Sequence, residues 1–190
     1  MKPKALNENL SGERISLKKH DLSLAKNMFE YVNADRERLD RFLPWVDYVK
    51  TVEDEENYIR TTHERWDARV MFDYGIFLNE SNKYLGNIGV HSIRWESNCA
   101  ELGYWILGDF EGQGFMSEAV LLLEKELFEV GFHRVQIRCS DLNEKSAKVP
   151  ERTGYVYEGT AREDAIEKGQ YRNTKTFSKL FHETKYRRRA

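Results

Sequence analysis

The period of apolar and polar positions changes several times along this chain, and each change marks a predicted element. Residues 14–18 alternate Arg14, Ile15, Ser16, Leu17 and Lys18, the period of a strand with one buried face. Asp21 then caps a helix with Leu24, Met28, Tyr31 and Val32 on one stripe. A second helix is predicted through Arg36, Leu39, Phe42 and Leu43, stopping near Pro44 because proline disfavours helical geometry in the residue before it. Thr51 or Asp54 opens a third, carrying Tyr58, Ile59, Thr62 and Trp66. From Met71 the pattern turns to strands at residues 74–78 and 84–90, a hairpin closed by Asn79, Glu80, Ser81 and Asn82. Another turn, at Glu96, Ser97 and Asn98, leads to a strand over residues 101–106.

The longest predicted helix places Met116, Ala119, Val120, Leu123, Leu127 and Val130 on one side and ends at Gly131. Val135, Ile137 and Cys139 then alternate with Arg134, Gln136 and Arg138 as a strand. Asn143 caps a short helix that holds Ala147 and Val149 and ends near Gly154; residues 155–159 and 171–181 read as two final strands. Strands and helices in this order predict a mixed α+β layer on one twisted sheet, a single domain over residues 1–190 without linker or repeat.

Composition narrows the partners. At 190 residues the chain can bury a core, and a net charge of -2 gives no reason to expect nucleic acid. The Arg187, Arg188 and Arg189 cluster reads as a solvated tail. No leader sequence and no membrane span are expected, since no apolar run approaches the ~18 residues that a span needs. Two cysteines, Cys99 and Cys139, are too few for a disulfide framework, which predicts a reduced, cytoplasmic protein. Neither lies at metal-ligand spacing from a histidine, so no metal site is expected.

The most telling segment runs Asp109, Phe110, Glu111, Gly112, Gln113, Gly114, Phe115, Met116, Ser117, Glu118, Ala119, between a strand and the long helix. Two glycines let the main chain adopt angles closed to other residues and let a ligand come close. The helix after them has unpaired first-turn amides at its positive end, a ready anion site suited to a phosphate. The plain alternative is that the glycines only make the turn. Neither the Gly-x-x-x-x-Gly-Lys-Ser/Thr nor the Gly-x-Gly-x-x-Gly pattern is present, which disfavours a nucleotide triphosphatase or a dinucleotide dehydrogenase.

Three segments together resemble the GNAT superfamily of acetyl-CoA-dependent N-acetyltransferases, in its RimJ/RimL-like branch. Ala100, Glu101, Leu102, Gly103, Tyr104, Trp105 and Ile106 are similar to the family's fourth strand. Glu111, Gly112, Gln113, Gly114, Phe115, Met116 and Ser117 are similar to its pyrophosphate loop, and the run from Asn143 to Tyr155 to the segment beside the cofactor's thiol. The stretch from Asp35 to Asp47 is similar to the branch's substrate-side helices. The resemblance implies a GNAT fold, a mixed central sheet of about seven strands with four to five helices. It also implies acetyl-CoA as cofactor and direct acetyl transfer to an amine in a ternary complex. A homodimer is a further implication.

Roles follow position by position. Tyr104, Trp105, Ile106, Glu111, Gly112, Gln113, Gly114, Phe115, Met116, Ser117, Asn143 and Ser146 are expected to hold the cofactor. Glu111 departs from the usual loop and is expected to point away from the anion. Pro150 stands where many members carry a tyrosine that protonates the thiolate. Ser146 is the expected substitute, although a serine in a first helical turn is also common without a role. A proline there also leaves the Ser146 carbonyl without its helical donor. Glu101 is the candidate base, against the alternative of a solvent-facing strand carboxylate, and Asn143 either contacts the pantetheine arm or caps its helix. A second carboxylate position falls at Ala165, with Glu163, Asp164 and Glu167 nearby. Trp45, Asp47, Tyr171 and Arg172 are expected along the acceptor groove, and the histidines show no catalytic spacing. The acceptor is expected to be a protein N-terminal α-amine, on a ribosomal protein for example. The alternatives are a small amine (a polyamine, an antibiotic or a toxin) or a non-catalytic acyl-CoA-binding module.

Overall fold

The alternating segments pair into one eight-stranded sheet of order β1-β2-β3-β4-β5-β6-β8-β7. Its strands are β1 (Asn9–Ser11), β2 (Ile15–Lys19), β3 (Phe72–Leu78), β4 (Tyr84–Arg94), β5 (Cys99–Ile106), β6 (Arg134–Ser140), β7 (Val156–Glu167) and β8 (Gln170–Leu180). Five helices complete it: α1 (Ala25–Ala34), α2 (Arg36–Leu39), α3 (Val52–Asp67), α4 (Phe115–Val130) and α5 (Glu144–Arg152). This is a computed structural model, in which residues 2–188 are described; Arg189 of the basic cluster lies outside them.

β1 through β5 pair antiparallel with their sequence neighbours, but β5 and β6 pair parallel. A parallel pair cannot be closed by a tight turn, so the chain crosses over through α4. The crossover helix buries Phe115, Met116, Ala119, Val120, Leu123, Leu127, Phe128 and Val130 against Phe72, Ile76, Ile88, Leu102, Val135 and Ile137 of the sheet. Thr51 is the cap of α3: its Oγ1 accepts the Asp54 amide at 3.2 Å, while the Asp54 carboxylate accepts the Thr51 amide at 2.8 Å. Among the described residues, no helix is long and apolar enough to cross a membrane.

Three expectations shift. The eighth strand, β1, has three residues, too few for alternation to show. β7 runs on to Glu167 rather than ending at 159, because register shifts near Gly159 and before Ala165 interrupt its period. The second helix ends at Leu39, not Leu43: the next amides bond three residues back (Arg41 to Arg38, Phe42 to Leu39), and Pro44 opens a 3-10 turn over Pro44–Tyr48. Arg36 holds that turn by donating to the carbonyls of Val46 and Val49.

Candidate active site

β5 and β6 stay paired only from Cys99 opposite Arg134 to Leu102 opposite Ile137. β6 keeps β8 beside it as far as Ser140 opposite Thr174, so β5 loses its neighbour beyond Leu102 and the sheet opens. The Leu107 amide donates to the Leu85 carbonyl at 2.8 Å. Antiparallel alternation then turns the main-chain groups of Tyr104 and Ile106 away from β4, into the opening. The Arg38 guanidinium takes up the Ile106 carbonyl there at 2.7 Å.

A cavity of about 540 Å³ fills this opening between Tyr104, Trp105 and Ile106, the glycine loop and α5. Gly112 and Gly114 sit at φ +74° and +83°, and a Cβ at Gly112 would touch nothing within 4 Å. The requirement for glycine at 112 is therefore conformational rather than steric. Glu118 is the residue whose amide returns to the Gly114 carbonyl, at 3.0 Å, which leaves the first-turn amides ahead of it turned to the cavity. Ser117 Oγ is buried in the same wall with no partner. Unpaired amides, a helix N-terminus and an orphan hydroxyl fit a diphosphate. Arg14 braces the loop: it donates to the Gln113 carbonyl at 3.0 Å and to Glu118 at 2.9 Å, and lies 4.6 Å over the Phe115 ring.

At the other wall, Asn143 caps α5 by accepting the Ser146 amide at 3.1 Å. Pro150 lies inside this helix, and the carbonyl it leaves open, that of Ser146, receives the Tyr104 hydroxyl at 3.1 Å. Burial raises the Tyr104 pKa, which keeps that donor protonated.

A second cavity of about 620 Å³ lies between the start of α3 and strands β3 to β5, and shares Leu43, Tyr104 and Trp105 with the first. Trp45 and Trp105 wall it with ring centres 5.5 Å apart. Asp73 of β3 and Glu55 of α3 line it, both buried. Asp73 accepts the Tyr58 hydroxyl, and burial raises its pKa. Glu55 Oε1 has no partner; burial, then the Asp54 charge, pushes its pKa up to about 7. Glycines make room for these groups: a Cβ at Gly89 would come within 2.9 Å of Asp73 Oδ1, and one at Gly103 within 2.8 Å of His91 Nε2.

A family model for the acetyltransferase (GNAT) domain matches residues 14–156. The chain belongs to the GNAT acetyltransferase family. It is an acetyl-CoA-dependent N-acetyltransferase, and its mixed α+β architecture is the GNAT fold. It is 29% identical to YdaF of Bacillus subtilis (strain 168) over 174 residues, 90% of this chain and 93% of YdaF. The ribosomal-protein-serine acetyltransferase of Escherichia coli (strain K12) is 23% identical over 159 residues, 82% of this chain and 86% of its own length. Among solved structures, the ribosomal L7/L12 alpha-N-protein acetyltransferase RimL with coenzyme A superposes with a TM-score of 0.86 at 23% identity, over 91% of this chain and 98% of RimL. The microcin C7 self-immunity acetyltransferase MccE, with acetyl-CoA and AMP, gives 0.85 at 22%, over 89% and 93%.

Within this N-acetyltransferase, every residue expected at the cofactor lines the first cavity except Gln113, whose side chain turns back to the Asp109 carbonyl at 2.8 Å. Glu111 lies in the wall, its charge matched by Arg38 at 2.7 Å and by Lys145. Glu101 lines neither cavity; it accepts from Gln136 at 2.9 Å and stands directly opposite His91, which does line the second cavity. Of the residues expected along the groove, Trp45 lines the second cavity, while Asp47, Tyr171 and Arg172 lie outside both. Asp47 is exposed on the Pro44–Tyr48 turn, whose inward side is Val46, and Tyr171 is 65% exposed beside the β7–β8 hairpin tip. The carboxylates around Ala165 also miss the cavities: Asp164 pairs with Arg138, and Glu167 accepts from Ser140 at 3.0 Å.

Arg14, Arg38, Glu55, Asp73 and His91 escaped the sequence reading. Only Glu55 left a usable signal. It falls on the buried stripe of α3 with Ile59, Thr62 and Trp66, an acid at a core position of an amphipathic helix.

Proposed function

We propose that this enzyme acetylates the N-terminal α-amine of a protein. The observation that carries the reading is the meeting of the two cavities at Leu43, Tyr104 and Trp105, one shaped for a diphosphate and the other acidic and aromatic. Acetyl-CoA, when bound, supplies an activated thioester: attack by the amine nitrogen forms the amide and expels the thiolate. The glycine loop and Ser117 hold the diphosphate end in place. The Tyr104 main-chain amide stands in the opening as a donor to developing negative charge. Ser146, at the first turn of α5, offers its hydroxyl to the departing sulfur, and Asn143 fixes that turn. Glu101 reaches the acceptor cavity only through His91 or a water, so a carboxylate of that cavity is the more direct partner for the amine.

The names of the Escherichia coli relative and of RimL support a protein acceptor, while the same fold also serves MccE, named a microcin C7 self-immunity acetyltransferase. Thiol release from acetyl-CoA, measured with free N-terminal pentapeptides, polyamines and aminoglycosides, separates the readings. The expected result is a kcat/KM for peptides at least tenfold above that for any diffusible amine. A preference for the diffusible amines overturns the proposal in favour of a small-molecule acetyltransferase.

A further inference from the structure

Other buried carboxylates of this protein have partners. Glu124 is held by Lys179 at 2.8 Å and Tyr186 at 3.1 Å, Glu126 by the Asn7 amide at 3.0 Å, Glu101 by Gln136 and Asp73 by Tyr58. Glu55 differs. It is 2% exposed, its Oε1 is unpartnered, and no lysine, arginine or histidine among the described residues forms an ion pair with it. A carboxylate in that condition opposes folding, and glutamine or leucine would serve the core better. Its surroundings point to a cation. The cavity is lined by the acidic residues Glu55 and Asp73, by Asp54, whose carboxylate is taken up by the α3 cap, by the aromatic residues Trp45, Tyr58 and Trp105, and by neither lysine nor arginine.

We propose that Glu55 receives the ammonium group of the acceptor and removes its proton before attack. This rests on the acetyl-transfer reading above. One N–H bond of the ammonium breaks as an O–H bond forms on Glu55. The neutral nitrogen then forms the N–C bond as the C–S bond breaks, the second proton passes to the departing thiolate, and Glu55 returns its own to solvent. The groups facing it are Asp54 and Tyr58 of α3, Asp73 of β3, and Tyr84 and His91 of β4. A base of pKa about 7 is matched to an α-amine, at about 7.7–8.0, far better than to a lysine-type amine, at about 10.4.

The test is kcat/KM against pH for a serine-initiated pentapeptide, using wild type, Glu55→Gln and Glu101→Gln, with acetyl-CoA titrated into each. The expected outcome is an acid limb near pH 7 in wild type and Glu101→Gln. In Glu55→Gln that limb disappears, leaving only the peptide amine's own, with kcat/KM down about a hundredfold and acetyl-CoA affinity within twofold of wild type. Added formate should restore part of the activity of Glu55→Ala. Persistence of the limb in Glu55→Gln with activity within threefold of wild type, or its loss in Glu101→Gln alone, overturns the assignment. So does a lower melting temperature for Glu55→Gln than for wild type at pH 8, which would make the carboxylate structural. Failure of wild type to bind acetyl-CoA sinks the acetyl-transfer reading instead.

Discussion

Ser146 brings a single hydroxyl to the first cavity, and the backbone around it is fixed twice, by the Asn143 cap and by the Tyr104 hydroxyl on its carbonyl. Removing that hydroxyl leaves the turn intact. Ser146→Ala should therefore lower kcat by on the order of a hundredfold while the coenzyme A dissociation constant, read by calorimetry, stays near wild type. Glu55 gives the residue scale its pH dependence. Its pKa is raised in the fold from the ordinary 4.5 to about 7, so the folded state binds more protons than the unfolded chain between those values. Stability therefore falls as pH rises through that window, by on the order of 3 kcal/mol if nothing compensates. Urea unfolding should show Glu55→Gln gaining on wild type from pH 5 to pH 8; a constant difference would contradict the burial argument. An acid on the buried stripe of α3 was readable in advance, but its lack of a partner was not, because partners arrive from β3 and β4.

At the level of elements, α5 is a short helix that tolerates Pro150 because β5 supplies the missing donor. Tyr104→Phe should cost about 1–3 kcal/mol, the penalty of an orphaned buried carbonyl. In a Pro150→Ala background the helix regains its own amide, so the same change should cost at least about 1 kcal/mol less. A double-mutant cycle by urea unfolding measures this, and additivity would refute it. The sequence showed the orphan carbonyl but not its rescuer, which lies 42 residues away. Lys179 of β8 ties α4 to the end of α5 through Glu124 and the Thr153 carbonyl. Lys179→Met strands a buried carboxylate and should cost about 3–5 kcal/mol near neutral pH. The loss should shrink as pH falls, because burial already raises the Glu124 pKa and eases its protonation. Equal losses at pH 5 and pH 8 would point to packing instead.

For the whole molecule, one departure from sheet pairing creates the site: β6 follows β8 while β5 stays with β4. Ligand in that gap joins the glycine loop to α5. Acetyl-CoA at a hundred times its dissociation constant should therefore stabilise the fold by about 2.7 kcal/mol, with slowed amide exchange concentrated at residues 112–117 and 143–149. Slowing spread evenly over the sheet would argue against a localised cradle. What the sequence settled by itself was local: strand and helix periods, the glycine turn, the Asn143 cap, and the residues that resemble the family. Each of these depends on neighbours within a few positions. The tertiary structure alone decided which groups share a cavity. It left Asp47 and Tyr171 outside both cavities, set Glu101 opposite His91, and brought Glu55, Asp73 and the Arg38 clamp into the cavity walls. The reason is physical: charge, burial and partner at a site are sums over distant segments, and only the closed sheet brings those segments together.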